Sequence, residues 1–268
     1  MLIGEIKNYL TYPTSQLAGK RALVTGASAG IGLATACRLV LSGVDVVLLA
    51  RRKEKLEEIQ RILQERFPDR KIDIFPGDVT DISLCDRLVE SGFFEVDILI
   101  NNAGLALGTS PVASARTEDW QSMIDTNITA AFRFMRYAVP AMIDRGGGHI
   151  INLASIAGHA TYEGGSVYCA TKHALIAFTK CLRQEVCDKN IRVSLVSPGM
   201  VKTEFSKVRF AGDLVRAEKV YEGMKPLHAE DIAEQVIFCL KQPAHVNLDE
   251  IIVMPTVQGA ATKVHRKS

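Results

Sequence analysis

Residues 21–32 read RALVTGASAGIG, a short apolar run followed by three closely spaced glycines. The run has β character, and apolar residues recur at helical spacing from Ile31 to Leu41. The first glycine permits a sharp turn, the second lets a pyrophosphate approach the backbone, and the third lets the helix pack on the strand. Free N–H groups at the helix start favour phosphate binding. The stretch therefore predicts a strand, turn and helix that hold a dinucleotide.

Two later segments support this prediction, which a glycine-rich turn alone would not justify because loops of ordinary α/β proteins also collect glycine. Residues 96–100 read as a buried strand, and Asn-Asn-Ala-Gly follows at 101–104. Residues 150–154 read as another such strand, with Ser155 at its end. Open α/β sheets bind their ligands at the carboxyl ends of the strands. Both segments therefore point to the same edge of one sheet.

Ser155, Tyr168 and Lys172 form the candidate catalytic group. A tyrosine and a lysine four residues apart lie on one face of a helix, and by itself such a pair is ordinarily a surface contact. Hydride transfer to or from a carbon requires an acid or base at the attached oxygen. Tyrosine has a pKa of about 10, and a nearby lysine cation would favour its phenolate. The three residues together predict a nicotinamide-dependent carbonyl reductase or alcohol dehydrogenase.

The end of the second predicted strand indicates which nicotinamide cofactor binds. An acidic residue about 20 positions after the glycines would favour NAD. Here the strand at 46–50 is followed by Arg51, Arg52 and Lys53. A guanidinium can bind a 2′-phosphate in bidentate fashion, so the sequence predicts NADP, with Arg51 the stronger candidate of the two arginines. The alternative is that the three cations only flank a solvated helix start.

Strand and helix patterns alternate along the chain and predict a Rossmann-type doubly wound α/β fold, a seven-stranded parallel sheet with helices on both faces. The predicted strands are 21–25, 45–50, 71–76, 96–101, 149–154, 191–197 and 249–254, and the predicted helices are 30–42, 53–66, 81–92, 117–144, 165–188 and 229–241.

Composition agrees with one domain over residues 19–268, preceded by an extension at 1–18 in which a short amphipathic helix is predicted. The chain has 268 residues, of which 47% are hydrophobic and 23% charged. Its net charge of +2 does not favour a nucleic-acid surface. The extension lacks a signal-peptide or membrane-span pattern, so a cytoplasmic location is expected. The six cysteines and six histidines have no metal-ligand spacing, and neither a disulfide framework nor a metal site is predicted.

These motifs occur in the order typical of the short-chain dehydrogenase/reductase family, which the chain resembles over about residues 19–264. The resemblance implies that Lys172 holds the nicotinamide ribose, Ser155 orients the substrate oxygen and Asn127 supports a water-linked proton relay. It also implies a homotetramer that assembles through the helices at 117–144 and 165–188 and through the last strand. The matching positions are Thr25, Gly26, Gly30, Gly32, Asp78, Val79, Asn101, Asn102, Ala103, Gly104, Asn127, Ser155, Tyr168, Lys172, Pro198 and Gly199.

The same resemblance gives a set of cofactor contacts and places a variable substrate lid at 202–225. Asp78 is expected at the adenine, and Thr203 at the carboxamide and phosphate end of the cofactor. The full predicted set comprises Gly26, Ser28, Gly30, Ile31, Gly32, Arg51, Arg52, Asp78, Val79, Asn102, Ala103, Gly104, Tyr168, Lys172, Pro198, Gly199 and Thr203.

Residues 101–108, 118–127, 203–210 and the tail at 254–266 together resemble bacterial NADP-dependent 3-hydroxy acid dehydrogenases, which oxidise serine, allo-threonine and related 3-hydroxy acids. A carboxylate substrate needs a cation near Tyr168. Arg209 is the first candidate, and Arg266, from the same or a neighbouring subunit, is the second. Alternatively, Arg209 forms a salt bridge within the lid and Arg266 belongs to a frayed tail. Sulfoacetaldehyde reductase, broad-specificity aldehyde or ketone reductase and non-catalytic dinucleotide-binding sensor or scaffold are the other functions considered.

Overall fold

The computed structural model describes residues 16–267. The amphipathic helix predicted near the N-terminus lies outside these residues. Every strand and helix predicted within them is present, with small shifts at the ends and one interruption. Every helix in this part of the chain is too short or too polar for a membrane span.

Seven strands within residues 16–267 form one parallel sheet, in the order β3-β2-β1-β4-β5-β6-β7. The predicted doubly wound fold is thereby confirmed. The strands are β1 (Arg21–Thr25), β2 (Asp45–Ala50), β3 (Ile72–Pro76), β4 (Ile98–Asn101), β5 (Gly148–Leu153), β6 (Ile191–Pro198) and β7 (Glu250–Val253).

Helices cover both faces of this sheet, so its inner strands are buried on both sides and read as largely continuous apolar runs. In β1, Val24 packs in the core on one face and Leu23 in the core on the other. The helices are α1 (Gly30–Leu41), α2 (Lys53–Arg66), α3 (Leu84–Glu90), α4 (Thr117–Ile124), α5 (Ala131–Asp144), α6 (Ser166–Val186), α7 (Phe205–Arg209), α8 (Leu214–Lys219) and α9 (Ala229–Leu240).

The strand order changes direction between β1 and β4, which lie side by side with Val24 opposite Ile100. In open α/β sheets the crevice outside the carboxyl ends of the strands at such a point is where ligands bind. The glycine turn after β1 and the loop after β4 therefore open at the same place. This arrangement positions the candidate site.

The predicted helix at 117–144 is interrupted, because a π-helical segment at Asp125–Ala130 separates α4 from α5. The sequence prediction of one continuous helix is corrected here. The wider turn contains Asn127, whose side chain bonds both the N–H and the C=O of Leu105 in the loop after β4. Single π-helical turns inside longer helices occur frequently at functional sites.

Candidate active site

A cavity of about 560 Å³ opens at the carboxyl edge of the sheet, between the glycine turn, the ends of β4 to β6 and the lid. Almost every residue predicted from the sequence to bind cofactor or substrate lines it. Among the predicted site residues, Gly32, Asn127 and Arg266 are not on its wall.

Gly32 has a packing role behind the cavity wall. A Cβ atom at this position would collide with the Gly26 carbonyl oxygen and lie 2.5 Å from Asn102 Nδ2. Gly26 itself has a φ of +69°, a left-handed conformation that favours glycine. The two glycines therefore allow the turn to fold tightly against α1 and the loop after β4.

Thr25 links the glycine turn to that loop. Its Oγ1 accepts hydrogen bonds from the backbone N–H groups of Asn102 and Ala103, both at 2.9 Å. Asn102 Nδ2 donates in return to the Thr25 carbonyl at 2.8 Å. Because these bonds lie within the chain, the two backbone segments that face the cavity are held in place before any ligand binds.

The predicted phosphate-binding arginines both line the cavity, but they differ in their contacts. Arg52 donates from Nε to Ser28 Oγ at 3.1 Å and from Nη1 to Glu204 Oε2 at 2.9 Å. Arg51 is largely exposed and lies 3.7 Å from Asp78 Oδ2. Lys53, by contrast, pairs with Glu57 on α2. Arg52 therefore contacts the glycine turn directly, whereas the sequence favoured Arg51.

Ser155, Tyr168 and Lys172 meet at the inner end of the cavity. Ser155 follows β5, and the other two residues lie in the first turns of α6. The Tyr168 phenol lies close to the Ser155 hydroxyl. Lys172 Nζ donates to the Leu153 carbonyl at 2.8 Å and lies 5.9 Å from the centre of the Tyr168 ring. The structure thus brings together three residues that the sequence separates by 17 positions.

Burial has the largest effect on the pKa values of Tyr168 and Lys172. It raises the pKa of Tyr168 well above its usual range, and the Ser155 hydroxyl and the charge of Arg209 oppose that shift. Burial lowers the pKa of Lys172 to about 8. The sequence predicted that Lys172 would lower the pKa of Tyr168, but within the chain alone Ser155 and Arg209 have that effect. Lys172 lies over the phenol ring and bonds a carbonyl instead.

Asn127 is buried behind the cavity wall. Its Oδ1 accepts from the Leu105 N–H at 2.9 Å, and its Nδ2 donates to the Leu105 carbonyl at 2.8 Å and to Thr171 Oγ1 at 3.1 Å. A Cβ atom at Gly104 would lie 3.3 Å from Asn127 Oδ1 and 3.6 Å from Lys172 Nζ. Gly104 therefore leaves room where the amide approaches the lysine, and the relay role of Asn127 stays a prediction.

Arg209, the last residue of α7, lies beside Tyr168 without a carboxylate partner among residues 16–267. Its Nε donates to the Gly108 carbonyl at 3.3 Å, and its Nη1 donates to Tyr162 Oη at 3.2 Å. The guanidinium carbon is 5.9 Å from the centre of the Tyr168 ring. The alternative of a salt bridge within the lid is not found among the described residues.

Arg266 lies outside the cavity, against the outer side of the lid. It donates to the carbonyls of Val220 and Glu222, and the neighbouring Lys267 N–H donates to the Gly223 carbonyl at 2.8 Å. The suggestion that Arg266 contacts the substrate of its own subunit is therefore corrected, because the tail runs along the lid. A frayed tail is not observed at this position either. Contact with a neighbouring subunit stays a prediction.

A family model described as short chain dehydrogenase matches residues 20–213. The chain belongs to this family. The dehydrogenase is 42% identical over 259 residues to the "NADP-dependent 3-hydroxy acid dehydrogenase" of Schizosaccharomyces pombe. This alignment covers 94% of this chain and 99% of that protein. The dehydrogenase is also 40% identical over 247 residues to the "Serine 3-dehydrogenase" of Agrobacterium fabrum, in an alignment that covers 92% of this chain and 98% of that protein.

A solved structure, the closed form of serine dehydrogenase complexed with NADP+, superposes on the dehydrogenase with a TM-score of 0.86. The two chains are 40% identical, and the match covers 92% of this chain and 100% of that one. The family resemblance inferred from the motifs is therefore confirmed, and so is the resemblance to 3-hydroxy acid dehydrogenases.

Glu204 is a feature of the site in this dehydrogenase that the sequence did not reveal. It immediately precedes α7, lines the cavity and accepts hydrogen bonds from Arg52 and, at 3.4 Å, from Lys55 Nζ. The hydrogen bond from Arg52 is the main cause that lowers the pKa of its carboxyl group. No carboxylate follows β2 in the sequence. Glu204 belongs instead to the lid, 152 positions away from Arg52 along the chain.

Glu204→Gln should tighten NADPH binding about threefold and leave NADH binding unchanged. The carboxylate competes with a 2′-phosphate for Arg52, and a pair this exposed has a modest effect. Arg52 keeps its bonds to Ser28 in the variant. Titration of NADPH and NADH fluorescence at low salt measures both dissociation constants. Weaker NADPH binding in the variant would show instead that Glu204 holds Arg52 in its binding position.

Proposed function

We propose that this dehydrogenase transfers a hydride between NADP(H) and a 3-hydroxy acid, with a 3-oxo acid or semialdehyde as the oxidised partner. The observation that supports the substrate class is Arg209, a half-buried guanidinium that faces the cavity beside Tyr168 with no carboxylate partner in the described part of the chain. A substrate carboxylate would supply the missing charge. The names of the relatives reported above agree with this proposal.

The distance between the cation and the catalytic tyrosine suits a short acid. In a 3-hydroxy acid, one carbon separates the carboxylate carbon from the carbon that loses its hydride. The guanidinium carbon of Arg209 lies 5.9 Å from the centre of the Tyr168 ring. A substrate bound with its hydroxyl at Tyr168 therefore has its carboxylate within reach of Arg209.

The residues around the cavity fit NADP. The N-terminus of α1 and the glycine turn would hold the pyrophosphate, and Arg51 and Arg52 would hold the 2′-phosphate. When bound, the cofactor supplies or accepts the hydride. The other proposed contacts are Ser28, Ile31, Asp78, Val79, Asn102, Ala103, Gly104, Lys172, Pro198, Gly199 and Thr203, all of which line the cavity.

In the proposed mechanism Tyr168 exchanges a proton with the substrate oxygen. Ser155, which lies close to the Tyr168 phenol, orients that oxygen. Lys172 holds the ribose, and Asn127 continues the proton path through water from behind Gly104. The phenol and the 3-hydroxyl share one hydrogen bond, so the proton moves along it as the C–O bond gains or loses double-bond character.

NADP reduction at alkaline pH tests the function directly. L-allo-threonine, L-serine, 3-hydroxypropionate and the sulfonate isethionate are the substrates, and NAD is the control cofactor. Turnover of the three acids supports the proposal. Turnover of isethionate alone would indicate a sulfoacetaldehyde reductase. No turnover of the four compounds, with NADPH-dependent reduction of neutral aldehydes or ketones in a separate assay, would indicate a broad reductase. NADPH binding without any turnover would indicate a sensor or scaffold.

Arg209→Ala should raise KM for 3-hydroxybutyrate at least about thirtyfold, because a charge-assisted contact to the carboxylate is lost. For methyl 3-hydroxybutyrate, which has no charge, KM should change less than about threefold. Arg209→Lys keeps the charge but not the planar fork, so its effect should fall between these limits. Steady-state kinetics at saturating NADP give each KM. Equal effects on the acid and the ester would contradict a carboxylate contact.

We also propose a homotetrameric, cytoplasmic protein with one domain over residues 19–268. Exposed apolar side chains favour association near β7, where Ile252 and, on α9, Phe238 are each about half exposed. The rings of Phe132 and Phe178 stack on the other proposed face, formed by α5 and α6. Light scattering coupled to size-exclusion chromatography gives the assembly state.

A further inference from the structure

Tyr162 lines the cavity next to Arg209 and is held in one position by its surroundings. It lies before α6, and its carbonyl accepts from the Gly165 N–H at 3.1 Å. A Cβ atom at Gly165 would lie 2.6 Å from the ring carbon that carries the hydroxyl. The ring therefore packs directly on the backbone at this glycine. The Arg209 guanidinium carbon lies 5.5 Å from the ring centre on the cavity side.

The hydrogen bond between these two residues fixes the role of the phenolic proton. Arg209 can only donate, so Tyr162 Oη is the acceptor in their 3.2 Å contact. The Tyr162 O–H can therefore donate its proton to a different acceptor. The Cys169 thiol is within hydrogen-bond reach of Tyr162, but sulfur is a weak acceptor. A carboxylate oxygen is a much stronger one, because a hydrogen bond to an ionised acceptor is about twice as strong as a neutral one.

Arg209 is already partly engaged by contacts within the chain. Two of its N–H groups already bond the Gly108 carbonyl and Tyr162 Oη. Its Nε is engaged, so the edge of the guanidinium that would form the common paired contact with a carboxylate is partly used. The Tyr162 hydroxyl, bonded to Nη1, would add one donor for a carboxylate oxygen, while the unused N–H groups of Nη1 and Nη2 bind the other oxygen.

We infer that Tyr162 is a specificity-determining residue whose hydroxyl donates to the substrate carboxylate while Arg209 binds the second oxygen. This inference rests on the proposed function. It adds to the site a neutral donor that selects for a planar carboxylate beside the reacting carbon. Tyr162 takes no part in proton transfer, because Tyr168 exchanges the proton with the 3-hydroxyl. Its removal should therefore change KM and not kcat.

Tyr162→Phe tests the inference with the loss of one oxygen atom. KM for 3-hydroxybutyrate should rise about tenfold. The kcat, the NADPH dissociation constant and the KM for methyl 3-hydroxybutyrate should each stay within about threefold. Titration of 3-hydroxybutyrate into the protein–NADPH complex, followed by nicotinamide fluorescence, gives a dissociation constant without turnover. It should weaken by the same factor as KM rises.

Tyr137→Phe is the matched control, because it removes a phenolic hydroxyl that bonds Asp86 at the surface and does not line the cavity. That variant should behave as the unmodified protein. Equal KM changes for the acid and its ester in Tyr162→Phe, or no change in either, would overturn the inference while the unmodified protein still oxidised the acid. An unmodified protein that oxidises the ester but not the acid would refute the proposed function itself, and the inference with it.

Discussion

Tyr168→Phe should lower kcat for 3-hydroxy acid oxidation about a thousandfold, within the range that a positioned general acid or base supplies. The substitution removes only the hydroxyl, which lies close to Ser155. The ring keeps its contact with Phe205, whose ring centre lies 5.7 Å away. NADPH binding should therefore stay within about threefold of the unmodified protein. Initial rates at saturating NADP and acid give kcat.

The pH dependence provides a second test of the same role. Oxidation needs the phenolate, and burial raises the pKa of Tyr168, so the rate for the unmodified protein should increase as pH rises. The residual rate of Tyr168→Phe should not follow that increase. Unfolding temperatures for both proteins serve as the folding control. Turnover retained in the variant with the same pH profile would mean that another group transfers the proton.

Arg51→Ala combined with Arg52→Ala should reduce kcat/KM with NADPH at least about a hundredfold and leave kcat/KM with NADH within about threefold. Each guanidinium would make charge-assisted hydrogen bonds to the 2′-phosphate, and NADH has no such group. Both arginines line the cavity, and Arg52 lies against Ser28 in the glycine turn. Steady-state rates of carbonyl reduction with each cofactor measure the preference.

Lys53→Ala is the control for nonspecific charge, since Lys53 pairs with Glu57 and does not line the cavity. Its effect on either cofactor should be small. An equal loss with NADPH and NADH in the double arginine variant would contradict 2′-phosphate recognition and indicate damage to the glycine turn. The single variants rank the two arginines, because the contacts in the structure favour Arg52 and the sequence favours Arg51.

The sequence was sufficient for the fold because the inner strands of the sheet are largely apolar on both faces. Val24 and Leu23 pack in opposite cores, and a strand with this pattern is typical of a parallel sheet covered by helices. Parallel strands place their carboxyl ends at one edge of the sheet. A motif that follows a predicted strand is therefore expected at that edge, where the ligand binds. For this reason the cavity lining includes Ser155, which follows β5, and the loop that follows β4.

No sequence pattern predicted the contacts that residues of the lid and the tail make. Glu204 meets Arg52 because the chain folds back over the cavity, and neither periodicity nor a turn signal encodes that approach. Arg266 bonds two carbonyls of the lid, which any residue type can provide. The π-helical turn at Asn127 depends on bonds to Leu105, so the apolar spacing of the helix does not report it.

A redesign of this dehydrogenase would meet a constraint in α7. The helix has five residues, a span of about 7.5 Å, with Glu204 before its first residue and Arg209 at its end. This short helix therefore connects Glu204, near the proposed site of the cofactor 2′-phosphate, to Arg209, which would bind the substrate carboxylate. Lid changes made to alter cofactor choice would displace the substrate cation as well. Substitutions on the β2 side, at Arg51 and Arg52, would change the cofactor preference without moving this helix.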